Sequence, residues 1–403
     1  MLSVQEARER IIAAMPLLSA VEINIADAFG CVLAEDLIAR RTQPPHAVSA
    51  MDGYAVRAAD IAELPVTLNL VGYSPAGGSY DGTLRPGETV RIFTGAPVPN
   101  GADTVVIQED TEADGTSILI KEGESGLHIR SQGLDFKAGD PLLKSGRVVT
   151  ARDAGLIAAM NIPWLKVRRK PRVAILSTGD EIVMPGDPVG PNQIVSANSI
   201  GLAAIVKLFG GEPVLLGIAP DDKDALARMA EGAKGMDLLL TTGGASVGDH
   251  DLIQEVLGNV GLELDFWKIA MRPGKPLIFG DFNGTPMLGL PGNPVSTVVC
   301  ALLFLRPALQ AQFGIFDAQS EIERAFLAAP LKQNGGRQDY MRASLEISSD
   351  GAKHVTAFPV QDSSMMVPLA RSDCFIIREP GAPSLDAGAS VTILPMPKGL
   401  AEF

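Results

Sequence analysis

The sequence predicts a multidomain α/β plus β protein. A central three-layer α/β domain with a parallel-rich sheet carries an elongated N-terminal domain, an inserted β domain and a C-terminal β-barrel-like domain. Three observations predict it. Residues 171–313 alternate continuous apolar strand-like runs with helical runs, the beat of a parallel sheet covered on both faces. Residues 64–135 break into short β-like runs separated by Gly, Pro and Asp. The length, 403 residues, exceeds one ordinary domain.

Each element has a local reason. Val4, Ala7, Ile11, Met15 and Leu18 sit at helical spacing and predict an amphipathic helix over 3–20. VEINI (21–25) is strand-like, and QPPHAVSAMDGYAV (43–56) reads as a loop. VTLNLVGYS, ETVRIFTG, DTVVIQED and SILIKEG then follow as short strands. DAGLIAAM (153–160) is helical. These shifts divide the first part into an N-terminal and dimerisation domain, 1–56 and 136–170, interrupted by a β domain over 57–135. The α/β domain spans 171–315. RVAILS (172–177), EPVLLGIA (212–219) and MDLLLTTGG (236–244) are its strands. NSIGLAAIVKLFGG (198–211), DKDALARMAEGA and DLIQEVLGNV (251–260) are its helices. Residues 320–403 return to short β-like segments.

Composition narrows the function. With 34 basic and 47 acidic residues the net charge is −13, which argues against a general nucleic-acid binder but leaves room for a local anion pocket. Cys31, Cys300 and Cys374 are far apart and read as buried thiols of a reducing compartment. Glu6, Arg8, Glu9 and Arg10 do not fit a signal peptide. The longest apolar run, Val295–Leu305, is about half of the ~20 residues a membrane span needs. A cytoplasmic protein with no membrane partner is expected. No GxxxxGK[ST], no GxGxxG after a strand and no HExxH is present, and no Ser-His-Asp or Cys-His set stands out.

The chemistry concentrates in glycine-rich loops. TGDE (Thr178, Gly179, Asp180, Glu181) and TTGGASVGDHD (with Gly243, Gly244, Ser246, Gly248 and Asp249) follow predicted parallel strands, where ligands of open α/β sheets bind. Their glycines let backbone approach a ligand, and Asp180, Glu181 and Asp249 offer oxygen ligands for Mg²⁺. The plainer alternative is glycines that turn the chain and an aspartate, Asp251, that caps the next helix. In GLPGNPVS (289–296), Gly292 precedes Asn293 as N-cap and Pro294 as first helical residue, which leaves the N–H groups of Val295 and Ser296 for an oxyanion such as phosphate or molybdate. A well-capped core helix is compatible with the same residues. MRPGKP supplies Arg272, Pro273, Gly274, Lys275 and Pro276, with two cations for the same anion. Ser49, Asp52 and Tyr54 in SAMDGYAV, Thr94 and Gly95 in FTGAPVPNGADTVV, and Asp135 in GLDFKAGD complete the polar loops.

In chain order and at their spacing, PPHAVSAMDGYAV, FTGAPVPNGADTVV, LSTGDEIV, TTGGASVGDHD, MRPGKP and GLPGNPVS resemble the MoeA family of molybdopterin molybdenumtransferases, whose animal relative is gephyrin, over nearly the whole chain. The resemblance implies four domains, a homodimer, and insertion of molybdenum from molybdate into adenylylated molybdopterin with Mg²⁺ and release of AMP. It implies that Asp52, Asp135, Glu181, Asp221 or Asp222, and Asp249 are the acidic site residues. Lys275, Ser296 and the GNP turn match the basic and helix-terminal groups. Arg272 stands where relatives often have lysine. Arg337 and Arg342, with Ser363 and Ser364, would be the C-terminal contribution. A transient contact with the molybdopterin adenylyltransferase is also implied. Two other readings fit parts of the chain: adenylyl transfer to molybdopterin, through the shared α/β domain, and a scaffold or cofactor carrier. The flanking β domains and SAMDGYAV separate the first from insertion; the lack of a receptor-binding linker weighs against the second.

Overall fold

A computed structural model describes residues 1–243, 257–258, 261–315 and 322–397. These fall into two compact units. One comprises 1–21, 30–34 and 167–403; the other comprises 22–29 and 35–166.

The first unit is built on a six-stranded sheet in the order Glu212–Ala219, Arg172–Thr178, Leu238–Thr242, Thr285–Leu290, Ile278–Phe282, Leu262–Trp267. The first four strands pair in parallel, and the last two are joined through antiparallel pairings. Along the strand 172–178, Val173 and Ile175 enter one apolar cluster while Ala174 and Leu176 enter another. Both faces are covered, so the strand reads as a continuous apolar run rather than an alternation. The MDLLLTTGG strand is Leu238–Thr242, and 251–256 and 259–260 of the expected DLIQEVLGNV helix lie outside the described residues.

One helix is shorter than expected and another is longer than its apolar run. The N-terminal helix is Val4–Ala14, with a Ser3–Glu6 capping box, not 3–20. Met15 is its C-cap and Pro16 follows, which disfavours helical backbone at Met15. Met15 and Leu18 are still buried, from the segment beyond. Val4, Ala7, Ile11 and Met15 share a core with Val173, Ile175 and Leu288 of the sheet. The helix beginning at Pro294 outruns the apolar run Val295–Leu305 and continues through Arg306-Pro307 to Phe313. Residues Ala301–Leu305 form a π turn within it. Pro307 has no N–H and crowds the carbonyl four residues back, and a wider turn accommodates both. This 20-residue helix is long and apolar enough to cross a membrane, but 72% of its most apolar window is buried, the mark of a core helix.

Residues 323–395 close a five-stranded barrel: Gln338–Ile347, Lys353–Ala357, Glu323–Leu327, Ser390–Pro395 and Cys374–Arg378, which pairs back to the first. Ala343, Val355, Cys374, Ile376 and Ile393 fill it. The short strand Met271–Arg272 adds to the edge at Gln338–Asp339. Cys300 and Cys374 are buried, and burial pushes the Cys374 thiol up to about 12. Cys31 is half-buried, so the expectation of three buried thiols holds for two.

The second unit carries another six-stranded sheet, ordered Thr104–Ile107, Gly53–Val56, Glu88–Ile92, Val66–Ser74, Ser117–Ile120, Thr111–Asp114. Gly53–Val56 is therefore an internal strand, not the end of a loop. Gly53 looks like turn chemistry in the sequence. Its actual constraint is that a Cβ there would run into the Val106 carbonyl of the neighbouring strand.

Candidate functional site

In the first unit, three parallel strands end side by side at Thr178, Thr242 and Leu290. The loops after them wall a cavity of about 970 Å³. Glu181, Gly243, Gly292, Asn293, Pro294 and Ser296 come from those loops. Arg272, Pro273, Gly274, Lys275 and Pro276 close a second side; Arg337 and 361–364 of the barrel close a third. The expected convergence of TGDE, MRPGKP and GLPGNPVS is thus present.

Close backbone approach fixes Gly243. Its φ is +91° and a Cβ would strike the Thr178 carbonyl, so only glycine brings the two strand ends together. Thr178 is itself buried behind this contact, and Gly179 packs beneath the Glu181 carboxylate. Asp180 accepts the Asp221 N–H at 3.0 Å, which ties the loops after two adjacent parallel strands. Asp222 caps the helix Lys223–Ala230 by accepting the Ala225 N–H at 2.8 Å. Among the described residues no three His, Cys, Asp or Glu side chains form a ready-made metal cage. Gly244, Ser246, Gly248 and Asp249 lie outside the described residues.

The helix start at Asn293–Pro294 has the expected backbone but a different use. Asn293 is N-cap without a side-chain cap bond; its amide instead donates to Ser363 Oγ at 2.8 Å. The Val295 N–H is not free: it donates to the Ser363 carbonyl at 3.0 Å. A strap from the barrel is therefore seated on the helix N-terminus. Ser296 is 4% exposed and lines the cavity.

Arg272 lines the cavity too, but its guanidinium pairs with Asp339, which holds it protonated, so its charge is partly committed. The expectation that Arg342 faces a ligand is corrected. It is 1% exposed and donates to the carbonyls of Met365 (3.0 Å), Val360 (3.2 Å) and Asp362 (2.8 Å). Gln361 clasps it from the other side, accepting the Arg342 N–H and donating to its carbonyl. A fully buried guanidinium needs acceptors, and this strap supplies them. Ser364 lines the cavity and donates to Asp362 at 2.6 Å. Sequence reasoning missed Ser177, Ile194, Val195, Asn198 and Gln361, all of which line the cavity. Only Asn198, a polar residue at the head of an apolar helix, carried a visible signal.

In the second unit, Asp52 accepts both the Thr94 N–H (2.7 Å) and Oγ (2.8 Å). The Thr94 backbone bond, then its hydroxyl, holds this exposed carboxyl below the usual range. Gly95, at φ +80°, donates to the Ser49 carbonyl. Ser49 is corrected as a ligand group: it is buried and its hydroxyl is spent on the Met51 carbonyl at 2.6 Å. Asp135 is exposed, with its N–H on the Gln43 carbonyl.

Fold and site define a multidomain protein with a polar cavity at the carboxyl edge of an α/β sheet, bordered by a barrel strap. Family models cover nearly all of it: the MoeA N-terminal region (domain I and II) matches 2–161, a probable molybdopterin binding domain 174–311, and the MoeA C-terminal region (domain IV) 324–396. The molybdopterin molybdenumtransferase of Haemophilus influenzae is 34% identical over 98% of each chain. That of a Nostoc species is 34% identical over 93% of this chain and 88% of its own. The crystal structure of the molybdopterin biosynthesis MoeA protein from Pyrococcus horikosii superposes with a TM-score of 0.86 at 31% identity, covering 99% of this chain and all of that one. The chain belongs to the MoeA family of molybdopterin molybdenumtransferases.

Proposed function

We propose that this protein inserts molybdenum from molybdate into adenylylated molybdopterin, with Mg²⁺, and releases AMP. The observation that carries the proposal is the single cavity in which three sheet-end loops, Lys275, Ser296 and the barrel residues Arg337 and Ser364 meet. Molybdate is a dianion, and preorganised donors at Lys275, Ser296 and Arg337 suit it better than water that must reorganise. The Val295 N–H belongs to the strap, so the anion is received beside the helix start and not by its first N–H.

The residues present fit Mg²⁺. Asp180, Glu181 and Asp221 are exposed oxygen donors on adjoining loops, and Asp180 is already oriented by the Asp221 N–H. A partial carboxylate set suits an ion that keeps several waters and takes substrate phosphates as ligands. Asp180, Glu181 and Asp249 would hold it, and when bound it would neutralise the pyrophosphate. The protein's own residues orient and exclude: Gly243 brings backbone against the substrate, and the strap fixes the depth of the anion end. Asp52 and Asp135 are proposed as further acidic contributors to the reaction. A homodimer, cytoplasmic, in transient contact with the molybdopterin adenylyltransferase, is the setting that accords with this activity.

The experiment is to mix purified protein, adenylylated molybdopterin, Mg²⁺ and molybdate and measure AMP. Molybdate-dependent AMP release is expected. Its absence, with the substrate shown to be intact, would reject the activity.

A further inference from the structure

The cavity is far larger than an oxyanion needs, and its size is that of a drug-sized ligand. Lys275, Ser296 and Arg337 account for the charged end of such a ligand. They leave unexplained the part of the wall that follows TGDE.

There the chain folds back on itself. Ile182–Val183 pairs in parallel with Ile194–Val195. The Ile194 N–H donates to the Glu181 carbonyl at 2.7 Å and the Ser196 N–H to the Val183 carbonyl at 2.8 Å. Gln193 fastens the intervening turn, accepting the Gly190 N–H at 3.1 Å. This small ladder holds two aliphatic side chains out of any core. Ile194 is 61% and Val195 45% exposed, and both line the cavity. Nothing in the fold needs them there.

Two polar groups lie on the same wall. Ser177 is 1% exposed, lines the cavity, and its Oγ has no hydrogen-bond partner among the described residues. A buried hydroxyl left unpaired is costly and is usually satisfied by a ligand or water. Asn198 spends its amide nitrogen on the Gly292 carbonyl (2.6 Å) and Thr242 Oγ (3.1 Å). That leaves its side-chain oxygen as an acceptor for a ligand N–H.

We propose that Ile194 and Val195 form an aliphatic shelf for the pterin ring of the substrate, read at its edge by Ser177 and Asn198. This rests on the activity proposed above. The chemistry favours the pterin over the adenine. A pterin edge presents an amine, a ring N–H and a carbonyl side by side, which a hydroxyl and an amide oxygen can read together. The described lining of the cavity contains no aromatic ring, so a heterocycle's face must rest on aliphatic carbon. The four residues thereby select the pterin end, and their effect is on substrate affinity and not on the anion.

The test compares wild-type protein with Ile194→Ser/Val195→Ser and with Ser177→Ala. Equilibrium binding of molybdopterin itself, of AMP alone and of molybdate is measured, together with AMP release. The double variant alters exposed side chains and is expected to keep the wild-type Tm. Molybdopterin should bind about tenfold more weakly to it, with AMP and molybdate binding unchanged. Ser177→Ala should weaken molybdopterin several-fold. Unchanged molybdopterin binding in both variants overturns the shelf. So does an equal loss for AMP alone, which would put the adenine there. Molybdopterin binding does not depend on turnover, so a wild-type protein that binds it but releases no AMP rejects the activity and leaves the shelf to be judged by the variants.

Discussion

The backbone carbonyl of Ser363 accepts the N–H of Val295 at 3.0 Å. This one bond joins the barrel to the first turn of the helix that borders the candidate anion site. A second bond, from Asn293 to Ser363 Oγ at 2.8 Å, lies beside it. Helix N-termini attract anions because their first N–H groups lack partners. Here one of those partners is protein. The strap that supplies it is braced from behind by Arg342 and Gln361.

Arg342→Ala should therefore act at a distance. It removes a buried side chain and leaves three carbonyls without their donor. Loss of about 2–4 kcal/mol of stability is expected from unsatisfied buried polar groups. Denaturant unfolding measures it. Arg342→Lys, which keeps the charge but not the planar fork, should recover only part of the loss. A variant as stable as wild type would mean that the strap holds itself.

Gly243→Ala should damage both fold and activity. The residue is at φ +91°, and a Cβ would meet the Thr178 carbonyl. Strain of this kind costs of order 1–3 kcal/mol. Thermal unfolding should show a lower Tm, and AMP release should fall further than stability alone explains, because the strand ends move apart. Equal Tm and equal turnover would show that the loop has room to yield.

Asp237 carries a pH dependence. Burial raises its pKa, but Arg169, bonded through two nitrogens at 2.6 Å each, and the Arg172 N–H at 2.7 Å outweigh burial and hold it below the usual carboxylate value. A folded-state pKa below the unfolded one adds stability that is present above the unfolded value and lost as pH falls through the folded one. Stability should thus decline below about pH 4, where an ordinary aspartate protonates. Asp237→Ala should cost about 1–2 kcal/mol at pH 7, in line with charge-assisted hydrogen bonds. Most of that difference should vanish near pH 2. Urea unfolding at both pH values decides; a constant difference would remove Asp237 from the acid response.

Much of the architecture was legible because single segments determine it. RVAILS reads as a covered strand from its continuous apolar run, and both its faces do meet apolar clusters. EPVLLGIA and VTLNLVGYS match their strands end to end. The N-terminal helix end was legible locally, in Pro16 after Met15; the other errors turn on contacts between segments far apart in sequence. Gly53 reads as a turn residue until Val106 is seen against it. Ser49 and Arg342 are polar residues near site loops, and only burial reveals that their polar groups are spent internally. The pairing of Val295 with Ser363 spans 68 positions and leaves no local trace. Ile194 and Val195 drew no reading from the sequence, and their exposure is visible only in three dimensions.

Asp52→Ala and Glu181→Ala should each abolish molybdate-dependent AMP release while the fold survives. Both side chains are exposed and sit in loops. Surface substitutions usually change stability by about half a kcal/mol. Asp52 does hold Thr94, so a small loss there is expected. Wild-type turnover in either variant would remove that residue from the catalytic set. A stability loss of several kcal/mol would identify it as structural.

Lys275→Ala should separate the two substrates. Lys275 lines the same cavity as Gly274, Asn293 and Ser296. Arg272 is paired with Asp339, and Arg342 is turned to the strap, so among the described residues Lys275 and Arg337 remain as the cations of that wall. An acidic protein of net charge −13 repels anions unless such a cation is fixed at the site. Loss of one charge-assisted contact, worth roughly 1.5–3 kcal/mol, corresponds to a tenfold to hundredfold rise in half-saturating molybdate. Half-saturating adenylylated molybdopterin should change little, because its ring is held elsewhere in the cavity. Arg272→Lys should be mild, since the ion pair with Asp339 needs only a cation. Titrating each substrate against a saturating level of the other reads both effects. An unchanged molybdate requirement in Lys275→Ala would move the anion to Arg337 and Ser364 on the barrel side.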